Sequence, residues 1–91
     1  MRTFRIKGDT NLYFKNSQRI PEDILFENIK NELSEDARIL IGQKTIGPSE
    51  DIYKCKIDGI DFELVYDIDD GGCISSKSEA AIELLEKILN K

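Results

Sequence analysis

The sequence predicts a single α+β domain, with two helices packed on a mainly antiparallel sheet in the order β-β-α-β-β-β-β-α. Three observations lead to this fold class. Residues 52–66 alternate between apolar and charged side chains around a tight turn, and two other segments have the apolar spacing of amphipathic helices. No repeat, linker or low-complexity tract divides the 91 residues, which is the size of one small domain.

The clearest element is a β-hairpin over residues 52–66. Asp58-Gly59 suits a type I′ turn, because both central residues need positive φ and glycine adopts it without steric cost. The turn pairs each lysine of the first strand with a carboxylate of the second, on one face. That face carries Lys54, Lys56, Asp61 and Glu63. The opposite, apolar face should be buried, and it carries Tyr53, Cys55, Ile57, Ile60, Phe62 and Leu64.

Short apolar or alternating segments predict the other strands. Residues 3–7 alternate with period two and residues 12–14 are largely aromatic, so an N-terminal strand pair is expected. Residues 38–42 are rich in β-branched side chains, which favours a strand in the middle of the sheet. Residues 43–50 contain Gly-Pro and are predicted as a loop, and residues 73–75 as a last, brief strand.

Two segments have helical spacing. The first should begin with Pro21 at its first position, present a stripe of Leu25, Ile29 and Leu33 to the core, and end near residues 34–36. The second has two rival N-caps, Ser76 with capping-box spacing to Glu79, and Ser78. Its core side carries Ala81, Ile82, Leu85, Ile88 and Leu89.

The composition argues against catalysis and against a cofactor. The chain has no histidine, which removes the usual general base at neutral pH and the commonest metal ligand. Residues 67–72 are acidic but do not match a calcium loop, since Gly71 stands where an oxygen ligand is usual and Ser78 where the bidentate glutamate belongs. We therefore expect a protein that is not an enzyme and holds no metal.

The two cysteines and the N-terminus indicate the compartment. Cys55 and Cys73 fall on different predicted strands, and we expect free thiols that pack as small hydrophobes. The first residues lack the apolar stretch of a signal peptide, and no apolar run approaches the about 18 residues that span a membrane. A cytoplasmic protein is the resulting expectation.

Charge is unevenly distributed along the chain, whose net charge is -5. Residues 1–20 carry five basic side chains and one acid, whereas residues 58–70 carry six acids and no basic residue. An acidic surface repels phosphate backbones, so we expect no direct binding to nucleic acid. It suits a basic protein partner, although a solvated acidic turn is the plainer alternative. The candidate partner-binding residues are Asp61, Glu63, Val65, Asp67, Asp69 and Asp70, with Val65 as an apolar centre among carboxylates.

A family resemblance points the same way. The run DGIDFELVYD at residues 58–67, followed by a short turn, a short strand and an amphipathic helix, resembles the C-terminal half of small acidic immunity proteins. These protect bacteria from contact-dependent growth-inhibition toxins and other polymorphic toxins, and the resemblance covers about residues 57–89. It implies a cytoplasmic, non-catalytic protein that binds a cognate toxin domain, often a basic nuclease, and blocks its active site. A general interaction or regulatory module, such as a phage-encoded inhibitor or adaptor, remains the alternative.

Overall fold

The computed structural model describes residues 3–67, 69 and 71–91, and it confirms the predicted class and element order. The elements are β1 (Thr3–Phe4), β2 (Leu12–Phe14), α1 (Glu22–Ser34), β3 (Ile39–Ile46), β4 (Glu50–Ile57), β5 (Ile60–Asp67), β6 (Gly71–Ser75) and α2 (Glu79–Leu89). The six strands form one sheet in the order β1-β2-β6-β5-β4-β3, and every neighbouring pair is antiparallel. The last strand, β6, therefore lies between the N-terminal pair and the hairpin.

The hairpin of β4 and β5 has the predicted register and faces. Ile57 pairs with Ile60, and the pairing continues outward through Ile52 and Val65. Asp58 and Gly59 have φ of 50° and 80°, as a type I′ turn requires. The buried side chains on the predicted face are Cys55, Ile57, Phe62 and Leu64, while Tyr53 and Ile60 are half-buried.

Both helices pack on one face of the sheet, which we call the helix face. Phe26 of α1 lies 6.4 Å from Phe14 and 5.3 Å from Tyr66 between ring centroids. Beyond the end of α2, Asn90 donates to the hydroxyl of Thr3 at 2.6 Å, and Thr3 shares the face of its strand partner Phe14. The core between the layers therefore draws on both ends of the chain.

The helix boundaries differ slightly from the prediction. Pro21 is the N-cap of α1 rather than its first residue, because its ψ of 139° is extended while its carbonyl accepts the first helical hydrogen bonds. The buried stripe is Phe26, Ile29 and Leu33, and Leu25 is only half-buried. At α2, Ser78 is the N-cap and accepts from the amide of Ala81. The predicted core side of α2 is confirmed.

The prediction of a central strand at residues 38–42 was wrong, and so was the prediction of a loop at residues 43–50. β3 pairs only with β4 and forms an edge of the sheet, with Leu40 67% exposed. It continues to Ile46 because the start of β4 supplies cross-strand partners for residues 44–46. A register shift between Ile41 and Lys44 allows the glycine and polar residues there to stay in the strand.

Two other strands have different limits from those expected. β1 ends at Phe4 rather than at residue 7, and Arg5, the next residue, pairs with Glu79 and Glu86 of α2. β6 begins at Gly71 rather than at residue 73, since it pairs back to Asp67 along β5.

Candidate protein-binding face

The sheet has a second face, opposite the helices, which we call the open face. Its centre is a line of register partners that crosses the sheet from β1 to β4, and we call it the apolar row. The apolar row consists of Phe4, Tyr13, Cys73, Val65 and Ile52. Phe4 is 42% exposed, and the other four side chains are half-buried. In the part of the chain that the structure describes, neither helix covers this row.

The N-terminal end of the apolar row is held in place by ring stacking and a hydrogen bond. The rings of Phe4 and Tyr13 are stacked, with centroids 5.5 Å apart and planes inclined by 22°. The phenol of Tyr13 donates to one carboxylate oxygen of Asp9, and the backbone amide of Asn11 donates to the other at 2.7 Å. The hydrogen bond from Tyr13 lowers the pKa of Asp9, so this acid stays ionised beside the row at neutral pH.

Strand β5 brings four of the six predicted partner-binding residues to the open face. Asp61, Glu63, Val65 and Asp67 alternate along the strand and point away from the helices, as their cross-strand partners on β4 do. Asp69 is exposed in the following turn, where its amide donates to Asp67 at 2.8 Å. Asp70 lies outside the described residues.

These acids are not equivalent. Asp61 is paired with Lys56 at 2.6 Å, which lowers the pKa of its carboxyl group. Lys54 stands opposite Glu63 as predicted, but no ion pair joins them among residues 3–67, 69 and 71–91. Asp61 thus has an ion-pair partner on β4, whereas Glu63 forms no ion pair with a residue that the structure describes.

A shallow cavity of about 330 Å³ lies on the open face where the apolar row crosses β6, β5 and β4. Tyr13, Cys73, Val65 and Ile52 contribute its apolar lining. Its carboxylates come from Glu50, Glu63 and Asp67, and Glu50 stands directly opposite Asp67 in the sheet register. The cavity thus combines an apolar lining with three acids and no basic side chain.

The pKa of the Cys73 thiol is affected by the carboxylates around this cavity. Burial and then the nearby carboxylates of Asp9, Glu50 and Asp67 raise its pKa to about 11. Three acids from different parts of the fold thus act on one atom group in the apolar row. The thiol stays protonated at neutral pH, which makes it a packing group of the cavity rather than a nucleophile.

Other features of the described residues carry less chemistry. A larger hollow of about 590 Å³ lies beyond the end of β6, and its lining includes both lysines, Lys54 and Lys77, and acids, Asp61 and Glu63. No group of three or more potential metal ligands is present in the described part of the chain. Cys55 and Cys73 are both free, and only Cys55 is fully buried.

Comparison with known proteins adds no homologue. No family model matches this sequence, and neither a curated protein nor a solved structure is similar to it. Within residues 3–67, 69 and 71–91, none of the helices has the length and apolar character needed to cross a membrane.

The sequence prediction missed Tyr13, Cys73, Ile52 and Glu50 as members of this site. The hairpin register already placed Ile52 opposite Val65, so an apolar residue on each charged strand face was a usable signal. Tyr13 and Cys73 carried no such signal, because their position beside Val65 depends on the insertion of β6 between β2 and β5.

Proposed function

We propose that this protein is a non-catalytic inhibitor that binds a basic protein partner on the open face of its sheet, and that it acts as an immunity protein against a bacterial toxin. The observation that carries the proposal is the apolar row surrounded by acids on a sheet face that neither helix covers in the described part of the chain. By occupying the active or substrate-binding surface of the toxin, the protein blocks access to it.

The apolar row supplies what a protein interface needs at its centre. Interface energy is concentrated in a few aromatic and aliphatic side chains that a partner desolvates, surrounded by polar groups. Tyr13, Val65 and Ile52 are half-buried and held in register by the four paired strands β2, β6, β5 and β4, so they lose little conformational entropy on binding. Phe4 extends this surface at the edge of the sheet.

The acids supply selectivity for a basic partner. Glu50, Glu63 and Asp67 surround the central part of the row, and Asp9 is bound to Tyr13. The negative electrostatic potential of these acids accelerates encounter with a positively charged domain and repels nucleic acid. A toxin that degrades nucleic acid has a basic substrate-binding surface, so it matches this face in charge.

The experiment is capture of the partner from the native host with the 91-residue chain, followed by inhibition assays. The captured protein is purified alone and titrated with the chain while its toxic activity is measured. We expect loss of activity that is complete near one equivalent. A captured protein that stays fully active contradicts inhibition and favours the adaptor alternative. Recovery of small molecules or nucleic acid alone contradicts the proposal altogether.

A further inference from the structure

We propose that the cavity on the open face receives an arginine side chain of the partner, whose stem lies along the apolar row and whose guanidinium group reaches the carboxylates of β4 and β5. This inference rests on the proposed function, and it specifies the chemistry that the inhibitor recognises. The surface around the cavity is thereby the centre of the interface rather than its rim.

The shape of the cavity fits a long side chain with a charged end. Its volume of about 330 Å³ exceeds what one arginine side chain occupies, which leaves room for the adjoining backbone of the partner. Tyr13 and Val65 form apolar walls on adjacent parts of the sheet, separated by Cys73, their common register neighbour. An aliphatic stem packs on such walls while its charged end remains near solvent.

The placement of the carboxylates favours a cation of defined chemistry. Glu50 and Asp67 face each other across β4 and β5, and like charges directly opposite in a sheet repel. Glu63 lies on the same strand and face as Asp67, on the other side of Val65. Neither the Glu50 nor the Glu63 side chain forms an ion pair with a residue that the structure describes. A cation placed between Glu50 and the two acids of β5 relieves this repulsion.

Arginine fits better than lysine for two physical reasons. Its planar guanidinium has five N–H donors in a fixed fork, so one group can bond to carboxylates on two strands. It also stacks on aromatic rings, and Tyr13 supplies one at the wall of the cavity. Lysine offers a compact, strongly hydrated charge that gains less from either feature.

The test uses a defined probe, so it does not depend on the partner. The isotope-labelled full chain is titrated by NMR at low ionic strength with N-acetylated, amidated Gly-Arg-Gly, and separately with the matching lysine and citrulline peptides. Citrulline has nearly the shape of arginine but no charge. We expect saturable shifts with the arginine peptide, several-fold weaker binding of the lysine peptide and none with citrulline. The responding amides should be those of Ile52, Val65, Gly72 and Cys73.

A matched pair of double variants separates the cavity from general electrostatic attraction. Glu50→Gln with Glu63→Gln should weaken the arginine peptide about 5-fold, since two partly exposed ion pairs are removed. Glu35→Gln with Glu83→Gln changes the net charge equally at exposed positions on or beside the helices, and should change binding less than 2-fold.

The inference would be overturned by shifts spread over the helices, by equal binding of the citrulline or lysine peptide, or by equal effects of the two double variants. Absence of binding also counts against it. Each of these leaves the inhibitor proposal standing if the captured toxin is still blocked through the open face. A toxin that remains active with the chain bound is the separate failure of the proposed function.

Discussion

The orientation of the sheet can be tested by truncating one phenylalanine on each face. Phe62 points into the core and is 2% exposed, whereas Phe4 lies on the open face and is 42% exposed. Phe62→Ala removes a fully buried ring and leaves a cavity, which costs about 3–5 kcal/mol in well-packed cores. A domain of 91 residues has a total stability of about 5–14 kcal/mol, so this variant loses a large fraction of it.

Phe4→Ala is the matched control, because the same atoms are removed from the same sheet. Its ring is partly in water already and makes one stacking contact, with Tyr13. Loss of that contact and of partial burial should cost about 1–2 kcal/mol.

Urea denaturation, monitored by circular dichroism, measures the loss of stability in both variants. With a slope of about 2 kcal/mol per molar urea, the midpoint of Phe62→Ala should fall by about 1.5–2.5 M and that of Phe4→Ala by less than about 1 M. An equal or larger loss for Phe4→Ala would mean that the faces are assigned the wrong way round. The open face would then be the core, and the proposed binding surface would not exist.

Three further predictions concern the edge strand, the hairpin and the thiol. Gly42→Ala should destabilise the fold by more than about 2 kcal/mol, because the added Cβ would lie 2.0 Å from a backbone oxygen of β4. The control Gln43→Ala, at an exposed position, should cost under about 0.5 kcal/mol; urea denaturation measures both variants. Lys56→Glu and Asp61→Lys should each destabilise mildly and partly compensate when combined. A double-mutant cycle without coupling would reject the ion pair. The Cys73 thiol should titrate near pH 11 by its ¹³Cβ shift. Because unfolding restores a normal pKa near 9, its contribution to stability is complete below pH 9 and lost as the pH rises to 11. A midpoint near 9 would contradict both the burial of the thiol and its proximity to nearby acids.

The hairpin was predictable because everything that specifies it is local. The Asp58-Gly59 turn fixes the register, and strict alternation then assigns each side chain to a face. The same reasoning placed Val65 among the acids of the open face. Local sequence therefore predicted the part of the candidate site that lies on β5.

The edge strand was mispredicted because its signals are contradictory. Ile39 and Ile41 resemble a central strand, and Gly42 followed by polar residues resembles its end. The strand instead bends through a register shift and continues, because pairing with β4 satisfies its backbone hydrogen bonds. Although β3 and β4 are consecutive, the register shift that keeps residues 44–46 paired cannot be read from the sequence of β3 alone.

The order of strands was equally out of reach, and it decides the site. Cys73 meets Tyr13 and Val65 only because β6 returns between β2 and β5, bringing together residues about 60 positions apart. Glu50 lies opposite Asp67 only because β4 begins before the predicted hairpin does. The apolar row and the position of Glu50 therefore depend on the strand order and limits, whereas Glu63 and Asp67 follow from the local pattern of β5.

The central claim is that the partner binds the open face, and one pair of substitutions tests it most directly. Val65→Lys and Ile24→Lys both replace an aliphatic side chain by a basic one, the first at the middle of the apolar row and the second at a 48% exposed position on α1. With both variants shown to be folded, the affinity of the purified partner is measured by calorimetry. Val65→Lys should weaken binding at least 30-fold, as loss of an interface centre of about 2 kcal/mol implies, and Ile24→Lys less than 2-fold. Equal affinities, or a larger loss for Ile24→Lys, would place the partner elsewhere and contradict the account.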